Sequence, residues 1–325
     1  ITAVRSARIV ALLAWLICLP VWATPGATAA QEDGPMRVEL GLMVDQIIGI
    51  DQKSENFSAA ARLWLRYQDP RLAYEPGPSD PPFRMLQIGS FLNLVEEKKA
   101  AWPPFIYTNL QGRMDFNIQM VRLYPHGQVS YEEVFTAAFQ APDFDFRRFP
   151  FDRQVFQIHV RPMLPSSIFR LEAMEDASGL GDELGEEEWI LENPRVRVTK
   201  ETTHDGFEVS EFTLEFDGTR HLTYYILRIF IPMLIILTVS WATFQLKDYV
   251  KRVDMGITVL LLLIAFNFTL STDLPRLGYI TAMDAFMGGA FAITGMVALI
   301  NVWFRRLQST GREEWVKRMD GWVIM

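Results

Sequence analysis

The amino-acid sequence predicts an extracellular antiparallel β-sandwich followed by an α-helical transmembrane domain, with three complete spans and a truncated fourth. Short runs in which apolar and polar residues alternate dominate residues 31–220, and three long apolar stretches crowd the last third of the chain. Period-two alternation is typical of half-buried strands. A helix that crosses a membrane needs about 20 mainly apolar residues, which the long stretches supply.

The first 30 residues have the pattern of a secretory signal peptide. Arg5 and Arg8 precede an apolar run over residues 9–19, and small residues follow at 27–30. We expect this segment to be absent from the mature protein. Because the only cysteine, Cys18, lies within it, the mature chain is predicted to have no disulfide and no thiol chemistry.

Residues 31–221 are predicted to form the sandwich. The alternating runs are Ala61–Tyr67, Asp115–Leu123, Val155–Val160, Pro194–Thr199 and Phe207–Phe216. Turn residues lie between them at Pro125-His126-Gly127 and His204-Asp205-Gly206. Runs of strands without intervening helices favour an antiparallel sandwich over alternating βα units.

Residues 222–325 are predicted to form the membrane domain, with spans at about 224–246, 253–272 and 279–304 and the start of a fourth at 315–325. Lys247, Lys251 and Arg252 lie between the first two spans, and basic residues also follow the third. Cytoplasmic loops carry an excess of Lys and Arg, so these ends are predicted to be cytoplasmic and the sandwich to lie outside.

Composition excludes several function classes. Half the residues are hydrophobic, the formal net charge is −8, and the acidic residues concentrate before Gly218, which argues against a nucleic-acid partner. The sequence has no Gly-x-Ser-x-Gly motif, and its four histidines lack metal-ligand spacing. We therefore predict no enzymatic activity, no cofactor and no metal site.

Ordered motifs along the chain resemble those of the pentameric ligand-gated ion channels, in the prokaryotic branch without the Cys-loop disulfide. They are Tyr67-Gln68-Asp69-Pro70-Arg71-Leu72, Trp102-Pro103-Pro104 with Asn109, Phe146 to Gln154, Pro232, Ser240-Trp241, and Leu274-Pro275-Arg276 with Tyr279. The resemblance implies a homopentamer in the bacterial inner membrane, with the sandwich in the periplasm. It also implies gating by a small-molecule agonist or by protons.

The middle span carries a stripe that indicates a pore. Positions spaced by four and three residues share one helix face, and here they are Asp254, Thr258, Leu261, Ala265, Phe268 and Thr272. Around an axis, Asp254 would form a carboxylate ring that selects monovalent cations, and Leu261 with Phe268 would form an apolar gate. Alternatively, Asp254 marks the helix start and Thr258 bonds its own backbone. Lys251, one turn before Asp254, weighs against cation selectivity.

Coupling residues are implied by the same resemblance. Asp152 is expected near Arg220, and Phe149 and Pro150 belong to the loop that touches the membrane domain. Asp51 and Glu55 lie in an early loop that resembles the one contacting the linker with Pro275 and Arg276. The alternative is a set of static surface ion pairs, which contribute about 0–1 kcal/mol each.

The agonist site is less well defined. In the family it lies between subunits, against a loop matched here by residues 200–207. Phe105, Tyr107 and Phe207 are candidate wall residues or sandwich core, and Met163 stands where an aromatic residue would favour an amine. His204 could make opening depend on pH. The acidic residues at 182–188 could bind a divalent ion, but a solvated loop is the simpler interpretation.

A non-conducting, membrane-anchored periplasmic sensor is the alternative function, because a sandwich on helices needs no pore. An anchor would gain nothing from Asp254 and Thr258 sharing a stripe with Leu261 and Phe268. A transporter is disfavoured because the three spans show no inverted repeat.

Overall fold

The computed structural model describes residues 34–182, 184–185, 188–270, 278–311 and 315. The strands are β1 (Met36–Asp51), β2 (Asn56–Gln68), β3 (Arg84–Gln87), β4 (Phe105–Tyr107), β5 (Leu110–Leu123), β6 (Gln128–Gln140), β7 (Arg153–Pro162), β8 (Phe169–Ala173), β9 (Gly179–Leu180), β10 (Trp189–Thr202) and β11 (Glu208–Arg220). Helix α1 spans Ile88–Glu97. Three helices long and apolar enough to cross a membrane follow: the first apolar helix (Leu222–Gln245), the second (Tyr249–Leu270) and the third (Ala282–Ser309).

Two sheets pack face to face. One has the order β3-β5-β6-β2-β1-β8 with β9 also paired to β1, and the other has the order β10-β11-β7-β4. Burial alternates along strands such as β2, β6 and β7, and the core combines aliphatic side chains with aromatic rings. The ring of Phe156 lies edge-on to Phe57 at 5.2 Å and stacks on Phe216 at 5.3 Å. This arrangement is the predicted sandwich, in which these rings fill space between the sheets.

Two short strands depart from the antiparallel pattern. β8 and β9 both run parallel to β1, with Met36 opposite Phe169 and Met43 opposite Gly179. Alternation along a single strand carries no information about the direction of its neighbour, so the sequence did not indicate this pairing.

The predicted turns are present. Pro125-His126-Gly127 connects β5 to β6, and His204-Asp205-Gly206 lies between β10 and β11. Gly127 has φ +84° and Gly206 has φ +81°, values that a glycine adopts without the steric cost that a Cβ would impose.

The second apolar helix begins four residues before the predicted span. The carboxylate of Asp248 accepts the amide of Val250 at 2.9 Å, so the cap lies before Tyr249. Hydropathy placed the start at 253 because Lys251 and Arg252 look like a loop, but Arg252 is buried. Its guanidinium lies 4.6 Å from the ring centre of Tyr249 and donates to the carbonyl of Leu246.

The first apolar helix is not uniform. Ile226–Phe230 is π-helical, and the N–H of Ile231 bonds to the carbonyl of Ile226, five residues back. Pro232 follows and has no N–H to donate. The third helix begins at a capping box in which the side chains of Thr281 and Asp284 each bond to the backbone of the other.

Four parts of the predictions lie outside the described residues: the signal peptide at 1–30, the end of the second span at 271–272, the linker residues Pro275 and Arg276, and the fourth span apart from Trp315. The domain boundaries remain predictions, although β11 ends at Arg220 and the first apolar helix begins at Leu222.

A close approach of backbone to core predicts the effect of one substitution. A Cβ on Gly218 would lie 2.4 Å from a ring carbon of Phe156 and 3.2 Å from the ring of Trp189. Both rings are buried in the core and have little room to move away from an added methyl group. We therefore expect Gly218→Ala to lower the free energy of unfolding by about 1–3 kcal/mol. Gly49→Ala, also in a strand but with open space at its Cβ, is the control. Thermal unfolding of the purified protein would show this, and equal midpoints for the two variants would contradict it.

Candidate functional site

The stripe of the second apolar helix, meaning Asp254, Thr258, Leu261, Ala265 and Phe268, lies opposite the face that packs on the other helices. Leu263 is fully buried and Leu261 and Phe268 are 60% and 75% exposed. At about 100° per residue, nine residues turn the helix by about 180° from Leu263, which is the direction of Asp254. The remaining members are exposed as well. Thr272, the last predicted member, lies outside the described residues.

The alternative interpretation of these polar residues is partly correct. Thr258 does bond its own backbone, since its hydroxyl donates to the carbonyl of Asp254 at 2.8 Å. The proposal that Asp254 marks the helix start is wrong, because the helix begins at Tyr249 and Asp248 supplies the cap. Asp254 is therefore an exposed carboxylate inside a helix, in a position that capping does not explain.

A buried ion pair lies at the end of the sandwich that adjoins the first apolar helix. The guanidinium of Arg220, at the end of β11, donates to both carboxylate oxygens of Asp152 at 2.9 and 3.4 Å, and both side chains are almost fully buried. The amide of Gln154 also donates to Asp152 at 2.5 Å. The pair implied by the resemblance is thus present in the structure, and its role in coupling remains a prediction.

Further groups surround Arg220. Glu188 accepts from Arg220 at 2.9 Å and from the hydroxyl of Tyr225 at 2.8 Å, and Tyr225 belongs to the first apolar helix. The guanidinium carbon lies 4.1 Å from the ring centre of Trp189 and 4.8 Å from that of Phe149. One cation therefore contacts a strand end, a loop and a helix at the same time.

The loop 145–152 also binds the third apolar helix. Its carbonyls at Arg147 and Phe149 accept the amides of Ala282 and Met283 at 2.8 and 3.2 Å. The hydroxyl of Tyr279 accepts the amide of Phe146 at 3.0 Å. These bonds satisfy amides at the helix start, so the loop is joined to the helix through backbone groups as well as side chains.

Aromatic rings extend this contact to the first apolar helix. Phe149 lies edge-on to Tyr225 at 5.3 Å, and Phe151 lies 5.9 Å from Phe230. Phe230 in turn lies 4.9 Å from Phe286 of the third helix. Pro150, also predicted here, follows Phe149 through a cis peptide bond.

The early loop between β1 and β2 is stabilised by hydrogen bonds from its own backbone amides to the side chain of Asp51. The carboxylate of Asp51 accepts the amides of Lys53 and Ser54 at 2.9 and 3.1 Å. Hydrogen bonds from Ser54 hold the pKa of Asp51 below its ordinary value. Glu55 is exposed. The predicted contact with Pro275 and Arg276 lies outside the described residues.

The five candidate ligand residues form two groups. Phe105 and Tyr107 are partly buried, with ring centres 6.1 Å apart, and the hydroxyl of Tyr107 donates to Glu133 at 2.6 Å. Met163 follows β7 and His204 and Phe207 lie on the turn between β10 and β11, and all three are exposed. The alternative prediction that Phe207 belongs to the sandwich core is therefore wrong, because its side chain is 56% exposed.

Two candidate functional residues, Glu188 and Glu133, were not predicted from the sequence. Glu188 ends an acidic run that resembles a solvated loop, and only the fold brings it to Arg220. Glu133 stands at a core position of β6, where strand alternation predicts an apolar residue; that departure was the available signal.

Two family models match most of the chain. The model of the neurotransmitter-gated ion-channel ligand binding domain matches residues 23–206, and the model of the neurotransmitter-gated ion-channel transmembrane region matches residues 229–323. The chain belongs to the neurotransmitter-gated ion-channel family. The resemblance and the fold class are thereby confirmed, and so is the absence of enzymatic function, because these proteins are channels.

Similar members of the neurotransmitter-gated ion-channel family come from bacteria and animals. The chain is 30% identical over 275 residues to a proton-gated ion channel of Gloeobacter violaceus, covering 82% of this chain and 72% of that protein. It is 26% identical to pH-sensitive chloride channel 2 of Drosophila melanogaster and 24% identical to gamma-aminobutyric acid receptor subunit beta-4 of Gallus gallus. The matches cover 85% and 82% of the chain but 55% and 54% of those proteins, so the chain spans about half their length.

The buried pair predicts a large cost for removing one charge. Asp152→Asn leaves Arg220 in a water-excluded site with one carboxylate instead of two, and we expect the free energy of unfolding to fall by about 3–5 kcal/mol. Asp145→Asn, in the same loop but paired with an exposed Arg147, is expected to change it little. Chemical denaturation of both variants measures the difference, and similar stabilities would show that the buried pair is not needed to hold the junction.

Proposed function

We propose that the chain is one subunit of a homopentameric, ligand-gated channel that conducts monovalent cations across a bacterial inner membrane. The observation that carries the proposal is the exposed stripe of the second apolar helix, which faces away from the rest of its own subunit. Members of the family are pentameric, and five such helices around an axis direct five stripes at one another.

The order of residues on the stripe supports both a filter and a gate. Asp254 and Thr258 lie at one end, and Leu261, Ala265 and Phe268 follow toward the other. A ring of carboxylates attracts cations, and rings of Leu and Phe exclude water when they close. One relative is a chloride channel, so the sign of the ion rests on Asp254 and not on family membership.

Charge at one end of the helices supports the proposed orientation. Lys247, Lys251, Arg305 and Arg306 are exposed where the first helix ends, the second begins and the third ends. Positive residues concentrate on the cytoplasmic side of membrane proteins, which supports a periplasmic position for the sandwich. The apolar outer faces of the helices then contact membrane lipid.

The stimulus is a small-molecule agonist or protons, as in the proton-gated relative. An agonist site between subunits is supported by Met163, His204 and Phe207, because their exposed side chains are available to a neighbouring subunit. Phe105 and Tyr107 are the other proposed wall residues, and their partly buried rings lie 6.1 Å apart.

Gating would pass through the Arg220 cluster and the loop 145–152. The pair of Asp152 and Arg220 belongs to the sandwich, and Tyr225 and Tyr279 connect it to the first and third helices. The second helix packs on the others through its buried face, so a movement of its neighbours changes the distance between stripes. A non-conducting, membrane-anchored sensor would have the same junction but would leave the stripe without a partner.

Removing the charge of Asp254 is expected to reduce cation selectivity. Coulomb attraction between a cation and one carboxylate 4 Å away is about 1 kcal/mol in water, and five carboxylates act together. We therefore expect Asp254→Asn to lower the cation-to-anion permeability ratio by about tenfold or more, while Asp254→Glu retains it. Reversal potentials under a salt gradient, measured on the full-length subunit in planar bilayers, give this ratio. Selectivity that is the same in both variants would place the filter elsewhere.

Shortening the apolar ring is expected to open the pore at rest. Leu261→Ala widens and weakens the constriction, so ion flux without a stimulus should rise several-fold. Leu262→Ala is the matched control, because Leu262 is the next residue and is similarly exposed but lies off the stripe. Flux from proteoliposomes measures the leak. If Leu262→Ala leaks as much, the constriction does not lie at Leu261, and if neither variant conducts, the sensor becomes the better account.

A further inference from the structure

Glu133 is a carboxylate between the two sheets of the sandwich. On β6 it belongs to the inward-facing row with Tyr131 and Phe135, and it is 2% exposed. The neighbouring Glu132 points the other way and pairs with Arg122 at 2.6 Å. Buried and less buried residues therefore alternate along β6 without interruption, and Glu133 occupies a core position.

Two tyrosines hold this carboxylate. The hydroxyl of Tyr107, on β4 of the other sheet, donates to Oε1 at 2.6 Å, and that of Tyr131 donates to Oε2 at 2.6 Å. Gln119 on β5 donates to the hydroxyl of Tyr131 at 3.1 Å. Each oxygen of the ionised form thus has one hydrogen-bond donor, but the donors are neutral.

No cation compensates Glu133 among the described residues. Its cross-strand neighbour on β2 is Leu63, and the inward-facing neighbours of Tyr107 on β7 and β11 are Val160 and Phe212. In the part of the chain that the structure describes, the titratable side chains that hydrogen-bond to Glu133 are Tyr107 and Tyr131. Three other buried acids in the sandwich each pair with an arginine, since Asp69 pairs with Arg71, Asp152 with Arg220 and Asp217 with Arg153. Glu211 is also buried but lies 3.7 Å from His159, so it must serve as a control.

We infer that Glu133 is a proton-binding site, and that its protonation favours the closed packing of the two sheets while its ionisation favours a conformer in which water reaches it. A buried carboxylate without a counter-charge is stable only when neutral or hydrated. The inference deepens the proposed channel function, on which it rests for its link to gating, by naming where protons act.

Burial raises the pKa of Glu133, and hydrogen bonds from Tyr107, Tyr131 and Gln119 offset part of that rise. The closed conformer therefore binds the proton more tightly than a conformer in which the group is hydrated. Its advantage is complete below the ordinary glutamate pKa and is lost as pH rises from that value through the raised one. Acidification is thus the direction that closes the sandwich around Glu133.

The strands beside Glu133 lead to the membrane junction. It lies on β6, and Tyr107 lies on β4, which pairs with β7 through Val160. β6 and β7 are the two strands that flank the loop 141–152, and this loop carries Asp152 and the contacts to the third apolar helix. A change in packing between the sheets at Glu133 therefore acts on both ends of that loop.

Infrared difference spectroscopy of the full-length subunit in proteoliposomes tests the site directly. A pH step from alkaline conditions down to a value still above the ordinary range of exposed carboxyls should produce a carboxylic C=O band. We expect Glu133→Gln to remove this band and Glu132→Gln to retain it. Glu211→Gln is a necessary second control, because burial also raises the pKa of Glu211.

Tyr107→Phe keeps the site falsifiable if Glu133→Gln does not fold. It removes one donor that stabilises the ionised form, so the midpoint of the band should move to higher pH. A band that survives Glu133→Gln, that is lost only in Glu211→Gln, or whose midpoint is unmoved by Tyr107→Phe would overturn the inference.

Ion flux separates this site from the channel function. In Glu133→Gln the pH dependence of the flux should become shallower, because one titrating group per subunit is removed. If Leu261→Ala conducts and Glu133→Gln keeps the wild-type pH dependence, the inference fails and the channel stands. If Leu261→Ala never conducts while the infrared band still depends on Glu133, the channel function fails and the proton site stands.

Discussion

The charge of Arg220 is the constraint on which the junction of the two domains depends. A guanidinium removed from water is stable only when carboxylates and hydrogen-bond acceptors surround it, and here these come from different parts of the chain. Asp152 comes from the loop, Glu188 from the segment before β10, and Tyr225 from the first apolar helix. The elements must therefore arrive together, and none can move far without leaving a buried charge unpaired.

Around this charge the junction combines two kinds of contact with different ranges. Backbone bonds from Arg147 and Phe149 to the start of the third helix fix position within a few tenths of an ångström. Aromatic contacts such as Phe151 with Phe230 tolerate sliding, because ring pairs are attractive over a range of distances and tilts. The third helix is thus held through backbone hydrogen bonds, whereas the first is held through the Tyr225 side chain and ring contacts.

The sequence predicted features that depend on the residue period of a single strand or helix. It did not predict features that depend on contacts between segments far apart in the chain. Alternation located β2, β5, β7, β10 and β11 but not β1 or β6. Helical spacing placed the stripe on one face, because such periods follow from the geometry of a single element. The pairing of Asp152 with Arg220 came from the motifs and not from any local pattern. Glu188 and Arg252 were misjudged because charged residues are ordinarily exposed, and their partners, Arg220 in one case and the Leu246 carbonyl with Tyr249 in the other, are fixed by the fold. The parallel β8 was missed because strand direction is a property of a pair.

The π-helical turn divides the first apolar helix into two mechanical parts. The N–H of Ile231 bonds to the carbonyl five residues back, and Pro232 has no N–H. Two successive residues therefore lack the usual hydrogen bond to the carbonyl four residues earlier. Phe230, which receives Phe151 of the sandwich loop, lies in this same turn. The segment from Leu222 to Phe230 is therefore a short helical arm that ends in an irregular turn, and the same turn contacts the sandwich loop through Phe230. Bending at this turn would let the segment follow the sandwich while the remaining turns of the helix keep their hydrogen bonds.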